Sequence, residues 1–177
     1  MKTVLAVILL AASAFAQQKT AIAAAEAACG PNEVSFETET VKDQPVAQVE
    51  TGKAQVYVIE VFDKVVGELS RPTLRVGLDG SWVGANKGDS YISFPVDPGE
   101  HHLCTNWQSH WKRFSKQAGF AGFTAEPGKL YYFRARIVEH GGSVGASSFS
   151  LDLEPVDNDE GKFLVASSGL SVSHPQQ

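Results

Sequence analysis

Residues 74–104, LRVGLDGSWVGANKGDSYISFPVDPGEHHLC, fall into short alternating apolar runs. The runs are cut by Asp79-Gly80, by Asn86-Lys87-Gly88-Asp89 and by Asp97-Pro98-Gly99. Gly tolerates positive φ and Asp often adopts it, so Asp79-Gly80 suits a two-residue hairpin turn. Runs of this length between such turns read as β-strands joined in a meander. The stretch predicts an all-β fold: a single antiparallel β-sandwich, Ig-like or Greek-key, with a short C-terminal helix. Side-chain parity adds a finer expectation. Leu103 shares a face with His101, Thr105 and Trp107, while Cys104 shares the other with His102 and Asn106. With Leu103 in the core, Cys104 faces the outside of its sheet.

Upstream, Ala54 to Phe62 is apolar on both alternating faces, which marks a central strand. Pro95 cannot donate to a ladder and is expected beside an edge or a bulge. Downstream, Ala118–Thr124 and Lys129–Val138 read as a hairpin around Glu126-Pro127-Gly128. In the second of these strands Tyr131, Phe133, Ala135 and Ile137 share one face, and Tyr132, Arg134 and Arg136 the other. Gln108 to Gln117 reads as a basic, aromatic surface excursion. Ser148–Glu154 is a further strand, and Asp157 with Glu160 resembles a capping box before a short helix. Leu170–Val172 closes the chain as a last strand.

The N-terminus carries different information. Met1-Lys2, the apolar run Val4–Leu10 and the small-x-small site Ala14-Phe15-Ala16 predict a secretory signal peptide over residues 1–16. That run is shorter than the roughly 20 residues of a membrane span, so no integral span is expected after cleavage. Residues 17–30 are read as an Ala-rich helix or flexible segment, and 31–175 as the sandwich domain. An exported chain, periplasmic or extracellular, permits a disulfide, and the two cysteines allow only Cys29–Cys104. Such a bridge would strap the N-terminal segment across the outer face of the sheet. The formal charge is −5, and loss of Lys2 takes it to −6, which argues against a nucleic-acid partner.

Motifs that could carry chemistry meet structural objections. Gly141 to Gly145 matches G-x-S-x-G around Ser143, with Asp152 and His174 following in hydrolase order. That elbow needs a strand before it, a helix after it and a large parallel sheet, and here it joins two strands. His101, His102 and Cys104 resemble metal ligands, but adjacent strand residues point to opposite faces. Asp157-Asn158-Asp159-Glu160-Gly161 lacks the ligand spacing of a calcium loop, and its acids suit a helix start. Trp82, Trp107, Trp111 and Tyr91 could form a stacking platform, with Trp107 assigned to the core and Trp111 to the surface. Arg134 and Arg136, with Tyr132, could bind an acidic group or could pair across strands with Asp152 and Glu154.

The runs 77–88 (GLDGSWVGANKG) and 98–108 (PGEHHLCTNWQ) resemble an exported bacterial family of uncharacterised role, the domain-of-unknown-function family 2846. The likeness continues through 128–133, 151–155 and 171–175. A narrower one, over 76–103, is to the PEGA-type modules of bacterial surface proteins. Both resemblances imply a β-sandwich in an envelope setting, and neither implies catalytic residues. The expected function is therefore a non-catalytic envelope or periplasmic binding or interaction module without a cofactor or metal. Its partner would be an envelope protein or glycan. The expected surface is Trp111, Tyr132, Arg134 and Arg136. A small secreted hydrolase of glycans or esters and an assembly subunit are the alternatives.

Overall fold

The computed structural model describes residues 27, 29–42, 49–61, 72–110, 112–141 and 148–176. The signal-peptide reading, most of the Ala-rich segment, Trp111 and Ser143 lie outside the described residues. Among the described residues ten strands follow one another: β1 (Phe36–Val41), β2 (Ala54–Val61), β3 (Thr73–Leu78), β4 (Ser81–Lys87), β5 (Ser90–Val96), β6 (Gly99–Gln108), β7 (Ala118–Ala125), β8 (Leu130–His140), β9 (Ser148–Val156) and β10 (Gly169–Pro175). A single helical turn, α1 (Lys112–Ser115), sits between β6 and β7, and α2 (Asn158–Ser167) sits between β9 and β10.

The strands form two sheets. One has six strands in the order β1-β10-β5-β2-β8-β9, and the other has four in the order β4-β3-β6-β7. They share one core, in which Val56, Val58, Phe133 and Ile137 of the larger sheet meet Leu74, Val76, Leu103 and Trp107 of the smaller. β2 is central, as its doubly apolar sequence predicts, with β5 on one side and β8 on the other. Asp79 (φ 50°) and Gly80 (φ 87°) make the expected tight turn between β3 and β4, since both positive φ values match the twist of the flanking strands.

Three expectations need correction. The stretch 74–104 is not a meander. Asn86–Asp89 carries the chain from β4 in the small sheet to β5 in the large one, and Asp97-Pro98 carries it back to β6, which pairs with β3. Glu126-Pro127-Gly128 likewise connects two sheets rather than closing a hairpin, because β7 pairs with β6 and β8 with β2 and β9. Nor is the larger sheet wholly antiparallel: β2–β8 and β5–β10 are parallel pairs. Turn chemistry specifies a reversal of direction and leaves open which edge the returning strand joins.

Pro95 is placed as its missing N–H requires. β10 pairs with β5 at Ser90 and Tyr91, so among the described residues the Pro95 stretch of β5 faces β2 on one side and no strand on the other. At the margins the sheets approach closely. Ser171 Oγ donates to the Ala85 carbonyl (2.8 Å) and Ser173 Oγ accepts from the Ala85 N–H (3.1 Å), joining β10 to β4 across the two layers. At the opposite margin Gly119 lets β7 approach β9, where a Cβ would lie 2.9 Å from the Leu151 carbonyl oxygen.

Candidate functional site

The outer face of the small sheet is covered. Cys29 and Cys104 form the disulfide that the sequence anticipates, with Cα atoms 5.2 Å apart, and Cys104 is fully buried beneath it. The bridge lays residues 29–35 over β3, β4 and β6 as a strap. Trp82 Nε1 donates to the Pro31 carbonyl at 2.7 Å, and Gly30 presses so near the Trp82 ring that any side chain there would overlap it.

Arg75 alternates with Leu74 and Val76 and so points from β3 to this outer face. The strap makes it a buried residue, 5% exposed. Its Nη1 donates to the carbonyls of Asn32 (3.0 Å) and Val34 (2.7 Å), and its Nη2 donates to Asn106 Oδ1. Its Cζ lies 4.4 Å from the centre of the Trp82 ring, a cation–π contact. Burial lowers the pKa of this guanidinium from its usual value. Asn106 passes the connection onward, its Nδ2 donating to the carbonyls of Ser115 (2.9 Å) and Gln117 (3.0 Å). One guanidinium and one amide thus pin both the strap and the α1 excursion to the sheet.

Between those two pinned segments lies a cleft of about 500 Å³. The strap forms one wall, residues 108–110 with Ser115 and Lys116 the other, and Arg75 and Gln176 complete it. The rim is well fixed. Gln108 mimics a strand, accepting the Phe36 N–H at 2.8 Å and donating to the Phe36 carbonyl at 2.9 Å. Ser35 Oγ donates to Gln176 Oε1 at 2.9 Å, and Gln176 N–H donates to the Ser35 carbonyl at 2.8 Å. No sequence motif marks this cleft. The signals for it in the sequence are the Cys29–Cys104 pairing and an arginine inside an apolar strand.

The surface expected from sequence is differently arranged. Tyr132 does point away from the shared core, yet it is buried, because α2 lies across that face. Its ring stacks on Tyr57 at 5.0 Å, and Tyr91 lies 6.1 Å from Tyr57 in the same layer. Burial raises the pKa of all three phenols, with the neighbouring Tyr132 and Tyr91 adding to the effect on Tyr57. Arg134 and Arg136 pair with acids, with Glu154 across the strands as the alternative anticipates but with Glu160 of α2 where it names Asp152. Arg134 contacts Glu154 (2.7 Å) and Glu160, and Arg136 contacts Glu154 at 3.4 Å. The hydrogen bond from Arg134 is the main reason that the Glu154 carboxyl sits below its usual range. Phe114 of the excursion is a core residue, its ring 4.4 Å from that of Trp107.

Other motifs are dispersed by the topology. Asp152 on β9 and His174 on β10 stand four strand spacings apart in the six-stranded sheet, about 19 Å at the usual spacing. Asp157 caps α2 by accepting from the N–H groups of Asp159 and Glu160, both at 2.9 Å. The Glu160 side chain turns to Arg134 instead of completing a reciprocal box. His101 holds the β3–β4 turn: Nδ1 lies 2.7 Å from Asp79 Oδ2 and Nε2 lies 2.7 Å from the Asp97 carbonyl. His140 Nε2, Ser150 Oγ and Asp152 Oδ1 form a short chain at 2.9 and 3.3 Å. The serine hydroxyl lies within hydrogen-bond distance of both the imidazole and the carboxylate. Among the described residues no helix is long and apolar enough to cross a membrane. No protein family, curated protein or solved structure matches the chain.

Proposed function

We propose that this chain is an exported, non-catalytic binding module of the cell envelope, a β-sandwich that holds its ligand in the cleft between the strap and the α1 excursion. The observation that carries the reading is the construction of that cleft. Its two walls come from segments remote in sequence, and both are tied down by Arg75 and Asn106. A concavity of about 500 Å³ falls in the size range of small-molecule sites, roughly 300–1,000 Å³. The N-terminal sequence supports export, and the paired cysteines suit an oxidising compartment. The dispersal of Asp152 from His174 favours binding over the hydrolase reading.

The test has two parts. Mass spectrometry of the exported chain should find a mature N-terminus at Gln17. Envelope glycan fragments added to the isotopically labelled mature chain should shift the backbone resonances of Ser35, Ser109 and Lys116, and the fragments should be recovered unchanged. Turnover of a fragment that is abolished by Asp152→Ala would overturn the non-catalytic reading in favour of a hydrolase.

A further inference from the structure

The side chains that line the cleft are mostly polar in type, and their stems add apolar surface between the polar groups. Of the eleven residues that line it only Val34 is apolar, which speaks against a lipid or an apolar peptide segment. Its charge is unusual for this chain. Arg75 and Lys116 stand against Glu33 alone, a local excess of one positive charge in a protein whose net charge is −5. Lys116 is exposed and forms no ion pair with a described residue.

Arg75 is the more telling group. A buried cation is ordinarily matched by an anion, because a low-dielectric site penalises a lone charge. Every described partner of Arg75 is neutral: two main-chain carbonyls, one amide oxygen and an indole face. Among the described residues no carboxylate lies within ion-pair distance of it. Its Nε–H is enclosed and has no hydrogen-bond partner there. Among the described residues the floor of the cleft thus carries a positive charge without a counter-ion, tied by three hydrogen bonds, while exposed Lys116 supplies a second at the rim. Around them the Asn32 side-chain amide and the Gln176 amide nitrogen make no hydrogen bonds with described residues, leaving donors for hydroxyl groups.

We propose that the cleft binds a sugar acid, a single uronate-type residue whose carboxylate lies over the Arg75 end between Arg75 and Lys116 and whose hydroxyls meet the amides and hydroxyls of the rim. This rests on the binding-module reading above and names its ligand class. A carboxylate supplies the missing negative charge, and charge-assisted hydrogen bonds are about twice as strong as neutral ones. A polyhydroxylated body matches a wall with one apolar residue better than an aromatic or aliphatic acid does. A cleft of about 500 Å³ admits one sugar ring with its hydration.

The experiment is a titration of the labelled, disulfide-intact chain with glucuronate, galacturonate, glucose and inorganic phosphate, followed by two-dimensional NMR. Either uronate should shift the amides of Ser35, Ser109, Lys116 and Gln176, and glucose should bind at least tenfold more weakly. Lys116→Ala, an exposed substitution that leaves the core untouched, should weaken the uronate about fivefold. Glucose binding as strongly as the uronates at the same amides would keep the binding module and overturn the acid. Phosphate binding more tightly than either uronate would overturn the carboxylate assignment in favour of a simple anion hole. No shift at these amides with any of the four probes would overturn the cleft as the binding site, and with it both readings.

Discussion

Arg75 occupies a position that the alternation of β3 assigns to solvent, and it is buried, but for the part that lines the cleft, because residues 29–35 lie over it. Arg75→Met keeps much of the stem's packing but leaves the Asn32 and Val34 carbonyls without their donor. It should cost about 3 kcal/mol in denaturant unfolding, the range for breaking a buried charged network. Arg75→Lys should recover less than half of that, because an ammonium cannot reproduce the planar fork. Equal stability of all three proteins would show that the strap is held by the disulfide alone. His101 offers a pH test at the same scale. Burial pulls its pKa down, but the hydrogen bonds to Asp79 and the Asp97 carbonyl outweigh this and raise it above 6.5. Both of its ring nitrogens face acceptors, an arrangement that only the protonated ring satisfies. Burial likewise pushes Asp79 up, and the bonds from His101 and the His102 N–H more than reverse it, to below 3.8. A raised basic group contributes fully below its unfolded pKa and fades as pH rises through the folded one. A lowered acid contributes above its unfolded pKa and fades as pH falls through the folded one. The advantage of wild type over His101→Gln should therefore peak between pH 3.8 and 6.5 and shrink on both sides. Asp79 is 43% exposed, so the amplitude should stay below about 1 kcal/mol. A difference that does not vary with pH would remove the ion pair from the account.

At the scale of elements, α2 decides what one face of the large sheet presents. It crosses Tyr132 at Gly161, where a Cβ would overlap the tyrosine ring. In an exposed helix Gly→Ala gains about 1 kcal/mol. Here Gly161→Ala should instead destabilise by about 2 kcal/mol, as overpacking does. In a Tyr132→Ala background the sign should reverse, and a double-mutant cycle measures the coupling. Additive effects would place α2 elsewhere. This contact also explains why the face resembles a free surface in the sequence. Period two correctly puts Tyr132, Arg134 and Arg136 together on one side of β8, opposite Phe133 and Ala135. Parity reports only direction away from the core, and the covering helix comes from residues some 25–35 positions later. Glycine as the fourth residue of a ten-residue helix is the available clue, since its low propensity asks for a packing reason. Strand existence was legible throughout, from the β2 apolar run to the Asp79-Gly80 turn. Sheet membership was not, because Asn86–Asp89 and Glu126–Gly128 use the same residues to cross between layers that other chains use to close hairpins.

For the whole molecule, the disulfide links the stability of the fold to the shape of the cleft. Cys29 and Cys104 close a loop of 75 residues, and restricting the unfolded chain by that much corresponds to about 4 kcal/mol in the chain-entropy account. The same bond anchors the strap that forms one wall of the cleft, so reduction should act on both. The Cys29→Ser/Cys104→Ser protein should unfold at lower denaturant by roughly that free energy. Still in its folded state, it should lose order in residues 29–35 first, because short strap segments hold few buried contacts of their own. Two local probes separate these effects. The indole N–H of Trp82, donating to the Pro31 carbonyl, should move toward its solvent-exposed position, and the Val34 amide should exchange faster. The core residues Val58 and Leu103 should keep their protection, since both sheets and their shared interior lie beneath the strap. The competing force is Arg75, which grips the strap through two carbonyls whether or not the sulfurs are joined. If Arg75 alone suffices, reduction lowers global stability and leaves the Trp82 indole signal where it was. If the bond is needed, both change together, and Arg75→Met in the oxidised protein disturbs the indole signal less than reduction does. The second outcome is expected, because a covalent tether fixes the strap at its first residue while Arg75 holds it only from Asn32 onward.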